Sequence, residues 1–234
     1  MKLEKSNLIV TRSYKEVYQC EDSIVKVFAK SHLKSAVFNE ALNTVRVEET
    51  GLAIPKLKEV TQIDGKWALV IEHKDGKTLE EMMKVDPANI EKYMSDFVDM
   101  QLAIQEKQAP MLNDLKEKLA RQINSLTVLD ATQRYELCTR LESMPKHTKL
   151  CHGDFNPSNI IVTDNGTPYI LDWSHATQGN ASADVARTYL LFCLDGKEEL
   201  ADKYLDLFCK KSDTAKQYVQ KWMPVVAASQ SVKG

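Results

Sequence analysis

Residues 151–173 read CHGDFNPSNIIVTDNGTPYILDW. This segment places Asp154, Asn159 and Asp172 in one short run, with an apolar strand-turn-strand pattern between Asn159 and Asp172. Carboxylate and amide oxygens are the ligands that Mg²⁺ prefers, and a carboxylate can also accept a proton from a hydroxyl group. A loop followed by a hairpin with these side chains can therefore hold a metal ion and a base on one rigid support. The alternative is an ordinary β-hairpin with polar surface residues.

The order of these residues is itself informative. His152, Asp154 and Asn159 follow the pattern His-x-Asp-x-x-x-x-Asn, and Asp172 comes after them. This is the order of a kinase catalytic loop and its metal-binding aspartate. Phosphoryl transfer needs a carboxylate that orients the attacking hydroxyl and oxygen ligands that hold magnesium against the nucleotide phosphates. The segment therefore indicates phosphoryl transfer.

The bulk properties exclude several other classes. The chain has 234 residues and a net charge of -2, so a nucleic-acid or membrane partner is not expected. The N-terminal residues lack the apolar core of a signal peptide, and no stretch approaches the length of a membrane span. The five cysteines are scattered, which is typical of reduced thiols in the cytoplasm. We therefore expect a cytoplasmic protein.

The first third of the chain predicts an antiparallel sheet with one helix. Runs at 8–10, 17–19 and 24–28 are rich in β-formers, and residues 33–50 change to a helical period. Two further strand patterns, 56–63 and 66–72, are joined by Asp64-Gly65, a strong hairpin signal. The sheet is expected to end near residue 72.

The remainder is predicted to be mainly helical. Asp86-Pro87 is expected to open a long helix, with Asp86 as its cap and Pro87 at the first position. Further helices are expected at 111–124 and 130–143, and again from Ala181 onward after the hairpin. The fold class is therefore α+β with two lobes. We expect a β-rich nucleotide-binding lobe at 1–74 and a helical lobe at 75–234 that carries the catalytic loop, metal site and acceptor site.

Lys26 lies in the middle of an apolar strand pattern, Val25-Lys26-Val27. A lysine there is costly unless its charge is paired. Glu40, on the helix that follows, is the nearest suitable carboxylate, and kinases pair a strand lysine with a helix glutamate in this way. The alternative is a solvated lysine on an edge strand.

These motifs resemble those of the aminoglycoside phosphotransferase and choline kinase superfamily, which shares the two-lobed fold of protein kinases. The segment 150–161, LCHGDFNPSNII, resembles its His-Gly-Asp-x-x-x-x-Asn signature, and 170–173, ILDW, resembles its second metal motif. The run 183–187, ADVAR, resembles its later Asp-x-Ala pattern. The resemblance follows the order of elements over nearly the whole chain but is specific only at about 150–190.

The resemblance implies roles for five residues. Asp154 would be the base that orients the acceptor hydroxyl. Asn159 and Asp172 would hold Mg²⁺, Lys26 would bind phosphate oxygens, and Glu40 would orient Lys26.

Two further residues have supporting roles in this interpretation. His152 would be structural, fixing the catalytic loop. Asp184 would brace that loop or cap the nearby helix.

The resemblance also implies a nucleotide site. Adenine would lie against the main chain of Glu72, His73 and Lys74. The turn that should cover the phosphates, within 11–18, contains no glycine, and Ser13 is expected to substitute there with hydroxyl and amide donors. Trp173 and His175, which follow the metal aspartate directly, are expected to face the acceptor.

The favoured function is an ATP-dependent small-molecule kinase, with GTP as an alternative donor. It would transfer the γ-phosphate to a hydroxyl of a sugar, amino alcohol or aminoglycoside-like acceptor. The alternatives are a small atypical protein kinase and a catalytically silent nucleotide-binding module. Asp172-Trp173-Ser174, in place of Asp-Phe-Gly, argues against a protein kinase. The expected partners are the nucleotide and the acceptor, and nothing indicates an oligomeric state.

Overall fold

The structure is a computed structural model that describes residues 3–231. By their internal contacts the residues form two compact units. Unit 1 contains the residues up to Met82 together with Ser158–His175, and unit 2 contains Met83–Pro157 and the residues from Ala176 onward. The sequence-based division into a nucleotide-binding lobe at 1–74 and a helical lobe at 75–234 stays a prediction.

The strands and helices follow one another along the chain with short connections. The strands are β1 (Leu8–Thr11), β2 (Lys15–Cys20), β3 (Ser23–Phe28), β4 (Leu57–Ile63), β5 (Lys66–Glu72), β6 (Lys77–Thr78), β7 (Lys149–Cys151), β8 (Ile160–Val162), β9 (Pro168–Ile170) and β10 (Thr177–Gly179). The α-helices are α1 (Lys34–Glu48), α2 (Leu79–Val85), α3 (Ile90–Gln105), α4 (Leu115–Ser125), α5 (Ala131–Ser143), α6 (Ala181–Leu194), α7 (Glu198–Ser212), α8 (Lys216–Gln220) and α9 (Met223–Gln230). Short 3₁₀ turns lie at Lys5–Asn7, Pro87–Asn89, Pro157–Asn159 and Trp173–His175.

Unit 1 contains an antiparallel sheet of five strands in the order β1-β2-β3-β5-β4. Asp64 and Gly65 turn the chain from β4 into β5 with φ angles of 50° and 71°. Two successive positive φ angles are those of a type I′ turn, for which Asp-Gly is a preferred pair. The hairpin expected at Asp64-Gly65 is thereby confirmed.

The two faces of this sheet bury different apolar groups. Val25, Val27, Ala68 and Val70 form a cluster on one face. The other face, with Phe28 and Leu69, packs with Val37 and Ala41 of α1. Each fully buried Val or Leu contributes about 1.5–3 kcal/mol. Because Lys26 lies opposite Leu69 in the β3–β5 register, it shares the face that α1 covers.

Unit 1 also contains a second sheet, in the order β6-β8-β9. Its β8–β9 hairpin carries the segment between Asn159 and Asp172, and the backbone N–H of Ile170 donates to the carbonyl of Ala53 at 3.1 Å. The hairpin expected from the sequence is therefore confirmed, and hydrogen bonds fix it to both β6 and the segment after α1.

Unit 2 is mainly helical, as predicted. The helix α3 buries Met94, Phe97, Val98 and Ile104. Its beginning differs from the prediction, because Pro87–Asn89 forms a 3₁₀ turn and the side chain of Asp86 makes no capping hydrogen bond. The Asp86 carboxylate accepts instead from the side chain of Asn89 at 2.7 Å. The α+β class, with an antiparallel N-terminal sheet and a mainly helical remainder, is confirmed.

Among residues 3–231, no helix is both long enough and apolar enough to cross a bilayer.

The close approach of Gly76 to β8 gives a stability prediction. A Cβ at this position would clash with the carbonyl of Val162 and lie 2.8 Å from Cγ2 of Ile161. Gly76→Ala should therefore lower the free energy of unfolding by about 1–3 kcal/mol. Lys77→Ala, an exposed neighbour on β6, is the control and should change it by less than about 0.5 kcal/mol. Equal denaturation midpoints for the two variants would contradict the prediction.

Candidate active site

The catalytic-loop sequence begins directly after β7, in unit 2. His152 is 0 % exposed, and its Nδ1 accepts a hydrogen bond from the backbone N–H of Asp154 at 3.2 Å. Its ring lies edge-on to Phe155, which in turn stacks on Phe97 with ring centroids 4.4 Å apart. These contacts agree with the structural role predicted for His152, since a buried ring bonded to the loop backbone fixes the loop conformation.

Asp184, near the start of α6, accepts hydrogen bonds from the same loop. The backbone N–H of Gly153 donates to Oδ1 at 2.7 Å, and that of His152 donates to Oδ2 at 3.2 Å. Gly153 has a φ of 76°, a conformation that a residue with a Cβ adopts only with strain. Gln101 donates to Asp184 through Nε2 at 3.3 Å and accepts from the hydroxyl of Tyr204. Asp184 therefore braces the loop, which is one of the two roles predicted for it.

The side chain of Asp154 is partly exposed and lies near Arg187 of α6. This side chain is 31 % exposed, and its Oδ1 lies 3.9 Å from a guanidinium nitrogen of Arg187. Arg187 is 9 % exposed, and its Nε–H donates to no acceptor among the described residues. Burial lowers the pKa of Arg187, while Asp154 and Asp184 oppose that shift. Asp154 thus lies beside a positive charge supplied by α6.

Lys26 and Glu40 form an ion pair in unit 1. Lys26 Nζ lies 2.7 Å from Oε1 of Glu40 and 3.5 Å from Oδ2 of Asp172. Burial disfavours the ammonium, but the two carboxylates outweigh it and raise the pKa of Lys26 above its ordinary value. Lys26 is therefore a permanently charged group on the sheet face that α1 covers.

Asp172 lies at the centre of this charge cluster. Its φ is 55°, a left-handed conformation that is uncommon outside glycine and that aspartate tolerates better than most residues. Burial opposes its charge, but Lys26 and Lys15 hold the pKa of Asp172 well below its usual range. Lys15 Nζ lies 3.2 Å from the same Oδ2 atom. Oδ1 is buried and accepts no hydrogen bond within residues 3–231.

Asn159, a residue of unit 1, is the last residue of the 3₁₀ turn Pro157–Asn159. Its carbonyl accepts from the backbone N–H of Leu171 at 2.8 Å, which ties it to the residue before Asp172. No group of three or more His, Cys, Asp or Glu side chains in the described part of the chain could hold a metal. Mg²⁺ characteristically uses one or two protein oxygens together with substrate phosphates, so Asn159 and the Oδ1 atom of Asp172 fit that requirement.

The residues after Asp172 differ in exposure. Trp173 is 2 % exposed, and its Nε1 donates to the carbonyl of Ile170 at 3.1 Å, so its side chain belongs to the core of unit 1. This burial argues against Trp173 as a wall of the acceptor site. His175 is half-buried, and its predicted place at the acceptor stays a prediction. Asn43 of α1 donates to the carbonyl of Ser174 at 3.3 Å and fixes this turn to the helix.

The predicted adenine-binding residues lie at the end of β5 and directly after it. The backbone N–H of Glu72 donates to Lys56 O at 2.8 Å, and that of His73 donates to Asp22 O at 2.9 Å, so both donors are used within the fold. Lys74 Nζ lies 2.6 Å from Oε1 of Glu72 and 4.4 Å from the ring centroid of Tyr169.

Ser13 is exposed in the glycine-free turn between β1 and β2. The functional roles of Ser13, Glu72, His73 and Lys74 stay predictions.

Two charged residues near these groups lacked a role in the sequence-based prediction. Lys15 appears there only within the glycine-free stretch 11–18, and Arg187 only as part of the 183–187 motif. The signal for Arg187 was its place three residues after Asp184, one turn along a helix. Lys15 has no such signal, because its contact with Asp172 depends on the strand register, which the sequence alone does not give.

Solved structures of other proteins share this fold. A thermostable mutant of aminoglycoside phosphotransferase APH(4)-Ia in ternary complex with AMP-PNP and hygromycin B matches with a TM-score of 0.70 and 14% identity, over 97% of this chain and 84% of the other. The aminoglycoside-3'-phosphotransferase of type VIII matches with a TM-score of 0.69 and 14% identity, over 95% and 93%. A choline/ethanolamine kinase family protein from Mesorhizobium loti matches with a TM-score of 0.63 and 15% identity, over 97% and 78%. The fold is therefore that of the aminoglycoside and choline kinases, as predicted.

The sequence comparison gives the family. The model of the phosphotransferase enzyme family matches residues 12–218, so the chain belongs to that family. Its predicted enzyme class, phosphotransferase, is thereby confirmed. None of the curated proteins gives a significant match to the chain.

The brace at Asp184 gives a stability prediction. Asp184→Ala leaves the buried N–H groups of His152 and Gly153 without an acceptor, which costs about 1–3 kcal/mol for each group. We expect the free energy of unfolding to fall by about 3 kcal/mol in chemical denaturation.

The matched control for this measurement is Asp99→Ala. Asp99 also carries an ion pair, with Lys211 at 2.6 Å, but its side chain is 58% exposed. Such a pair contributes less than about 1 kcal/mol. If Asp184→Ala cost no more than this control, the bracing role would be wrong.

Proposed function

We propose that the chain is an ATP-dependent small-molecule kinase acting in the cytoplasm, with GTP as an alternative donor. The observation that carries the proposal is the charge cluster of Lys26, Glu40 and Asp172 in unit 1. Burying three charges together is costly, and a hydrophobic set of similar volume would serve stability as well. A phosphate and metal site explains why these charges gather next to the covered face of the sheet.

Lys26 binds phosphate oxygens of the nucleotide, and Glu40 holds the lysine in position. Ser13 adds hydroxyl and amide donors from the turn between β1 and β2. Adenine lies against the main chain of 72–74. Because the N–H groups of Glu72 and His73 are used within the fold, Lys74 supplies the main-chain donor to the base.

Asp172 and Asn159 hold the magnesium ion of the nucleotide. The buried Oδ1 atom of Asp172, which accepts no hydrogen bond within residues 3–231, supports this assignment. Bound Mg²⁺ neutralises the charge that develops on the phosphate oxygens. The left-handed backbone of Asp172 is the kind of local strain that clusters at ligand-binding positions.

Asp154 acts as the base. It orients the acceptor hydroxyl and accepts its proton as the new bond forms between the hydroxyl oxygen and the γ-phosphorus. The bond from that phosphorus to the bridging oxygen breaks, and the nucleoside diphosphate leaves with the bond electrons. Arg187 orients the carboxylate of Asp154, and the hydrogen bonds to Asp184 hold the loop.

The acceptor is a hydroxyl of a sugar, an amino alcohol or an aminoglycoside-like molecule. The similar structure with hygromycin B and the choline/ethanolamine kinase family protein support these classes. His175 is the residue that we propose to face the acceptor.

A phosphorylation assay with a metabolite panel tests the proposal. Purified protein is incubated with Mg²⁺ and either ATP or GTP, together with sugars, amino alcohols, aminoglycosides or peptides, and product is detected by mass spectrometry. We expect a phosphorylated small molecule. Phosphorylated peptides alone would indicate a protein kinase, and nucleotide binding without any product would indicate a silent binding module.

Asp154→Ala tests the base. Turnover should fall by about 10²–10⁴-fold, the range for general-base catalysis. The Kd for Mg-ADP should change by less than about threefold, because the base acts mainly in the transition state. Steady-state kinetics and calorimetry measure the two quantities. Equal losses in binding and rate would assign Asp154 a structural role instead.

Asp172→Asn tests the metal site. It should weaken Mg-ADP binding by at least about 10-fold, a loss that even changes outside the first coordination shell can cause. Turnover should be abolished. Asp164→Asn, an exposed position in the β8–β9 hairpin, is the matched control and should behave like the wild type. Normal turnover in Asp172→Asn would exclude the metal assignment.

A further inference from the structure

A second lysine, Lys15, forms an ion pair with Asp172 beside Lys26. In the β2–β3 register Lys15 lies opposite Phe28, and Val17 lies opposite Lys26, so both lysines project from the same face of the sheet. The Nζ atoms of Lys15 and Lys26 lie 3.2 and 3.5 Å from the same Oδ2 atom of Asp172. The side chain of Lys15 is only 10% exposed. The pairing of Lys26 with Glu40 does not require this second buried ammonium.

The turn that leads into Lys15 is held firmly by its own contacts. Tyr14 stacks on His32 with ring centroids 5.1 Å apart, and His32 stacks on Phe28 at 5.2 Å. The backbone N–H of Arg12 donates to the carbonyl of Lys15 at 2.8 Å. Lys15 therefore leaves a fixed backbone, and the direction of its side chain is restricted.

The same turn lacks the feature by which kinase-type loops bind phosphate. Glycine lets backbone amides approach an anion closely, and residues 11–18 contain none. An ammonium group at the end of a lysine side chain reaches an anion without that close backbone approach, and its charge strengthens the hydrogen bond.

We propose that Lys15 is a phosphate-binding residue that takes the place of the glycine amides. Its ammonium pairs with Asp172 and offsets the charge of that carboxylate. When the Mg-nucleotide binds, Lys15 transfers from Asp172 to a phosphate oxygen. This inference rests on the proposed function, because it requires that unit 1 bind a nucleotide.

The test measures binding rather than turnover. The Kd values of Mg-ADP and of adenosine are determined by calorimetry for the wild type, Lys15→Met and Lys15→Arg. Lys15→Met should weaken Mg-ADP binding by about 10- to 100-fold, the range for hydrogen bonds to charged groups. Adenosine, which carries no phosphate, should bind equally to both proteins. Lys15→Arg should recover most of the Mg-ADP affinity.

The matched control is Lys66→Met. Lys66 stands on β5 of the same sheet, and its ammonium lies 3.8 Å from Glu16, with 39% of the side chain exposed. Its removal should leave both Kd values unchanged. If Lys15→Met does not fold, as judged by circular dichroism, Lys15→Gln carries the same measurements.

A second measurement separates direct phosphate binding from an effect through Asp172. ADP binding is measured in EDTA, in the Asp172→Asn background, with and without Lys15→Met. If Lys15 contacts phosphate, Lys15→Met still weakens ADP binding about 10-fold in this background. If Lys15 acts only on the carboxylate of Asp172, Lys15→Met leaves the ADP affinity unchanged there. That result would overturn the proposal.

The outcomes also separate this inference from the proposed function. A wild-type protein that binds no nucleotide would overturn both. A wild-type protein that binds Mg-ADP and phosphorylates a small molecule, while Lys15→Met matches Lys66→Met, would overturn only the role of Lys15.

Discussion

The charge of Lys26 is the constraint on which unit 1 depends. An ammonium on the covered face of a sheet is tolerated only when carboxylates pair with it, and these come from different parts of the chain. Glu40 comes from α1, and Asp172 comes from the end of the β8–β9 hairpin. One side chain thus connects the sheet, the helix and the hairpin segment within this unit. Removing one partner of such a set leaves an uncompensated charge, which costs about 3–5 kcal/mol.

The catalytic loop in unit 2 is held in a different way, by hydrogen bonds to its backbone. Asp184 accepts from the N–H groups of His152 and Gly153, and His152 accepts from that of Asp154. Within each unit a carboxylate of the proposed site is thus adjacent to backbone in the left-handed region, at Gly153 in unit 2 and at Asp172 itself in unit 1. Such strain persists only where neighbouring contacts fix the conformation. The fixed backbone then orients the side chain before any ligand binds.

The parts of the fold that the sequence predicted are those with short-range signals. The Asp64-Gly65 turn and the pairing of Lys26 with a helix carboxylate follow from local periods and from the cost of a buried charge. The contact of Lys15 with Asp172 depends on strand register and on the path of a distant hairpin, and neither has a local signal. The orientation of Trp173 is a third case, because its place next to Asp172 suggested a site wall whereas the 3₁₀ turn directs the ring into the core.

The two lysines at Asp172 also bear on how a phosphate site can function without glycine. A lysine side chain carries about 2 kcal/mol of rotamer entropy, which is lost when the ammonium is fixed on a ligand. At Lys15 most of that loss has already occurred, because the side chain is nearly buried and bonded to Asp172. Transfer of the ammonium from a carboxylate oxygen to a phosphate oxygen then exchanges one charge-assisted bond for another. In the proposed site the carboxylate released in this way is the one that holds the metal ion, so binding of the metal and release of the lysine would favour each other.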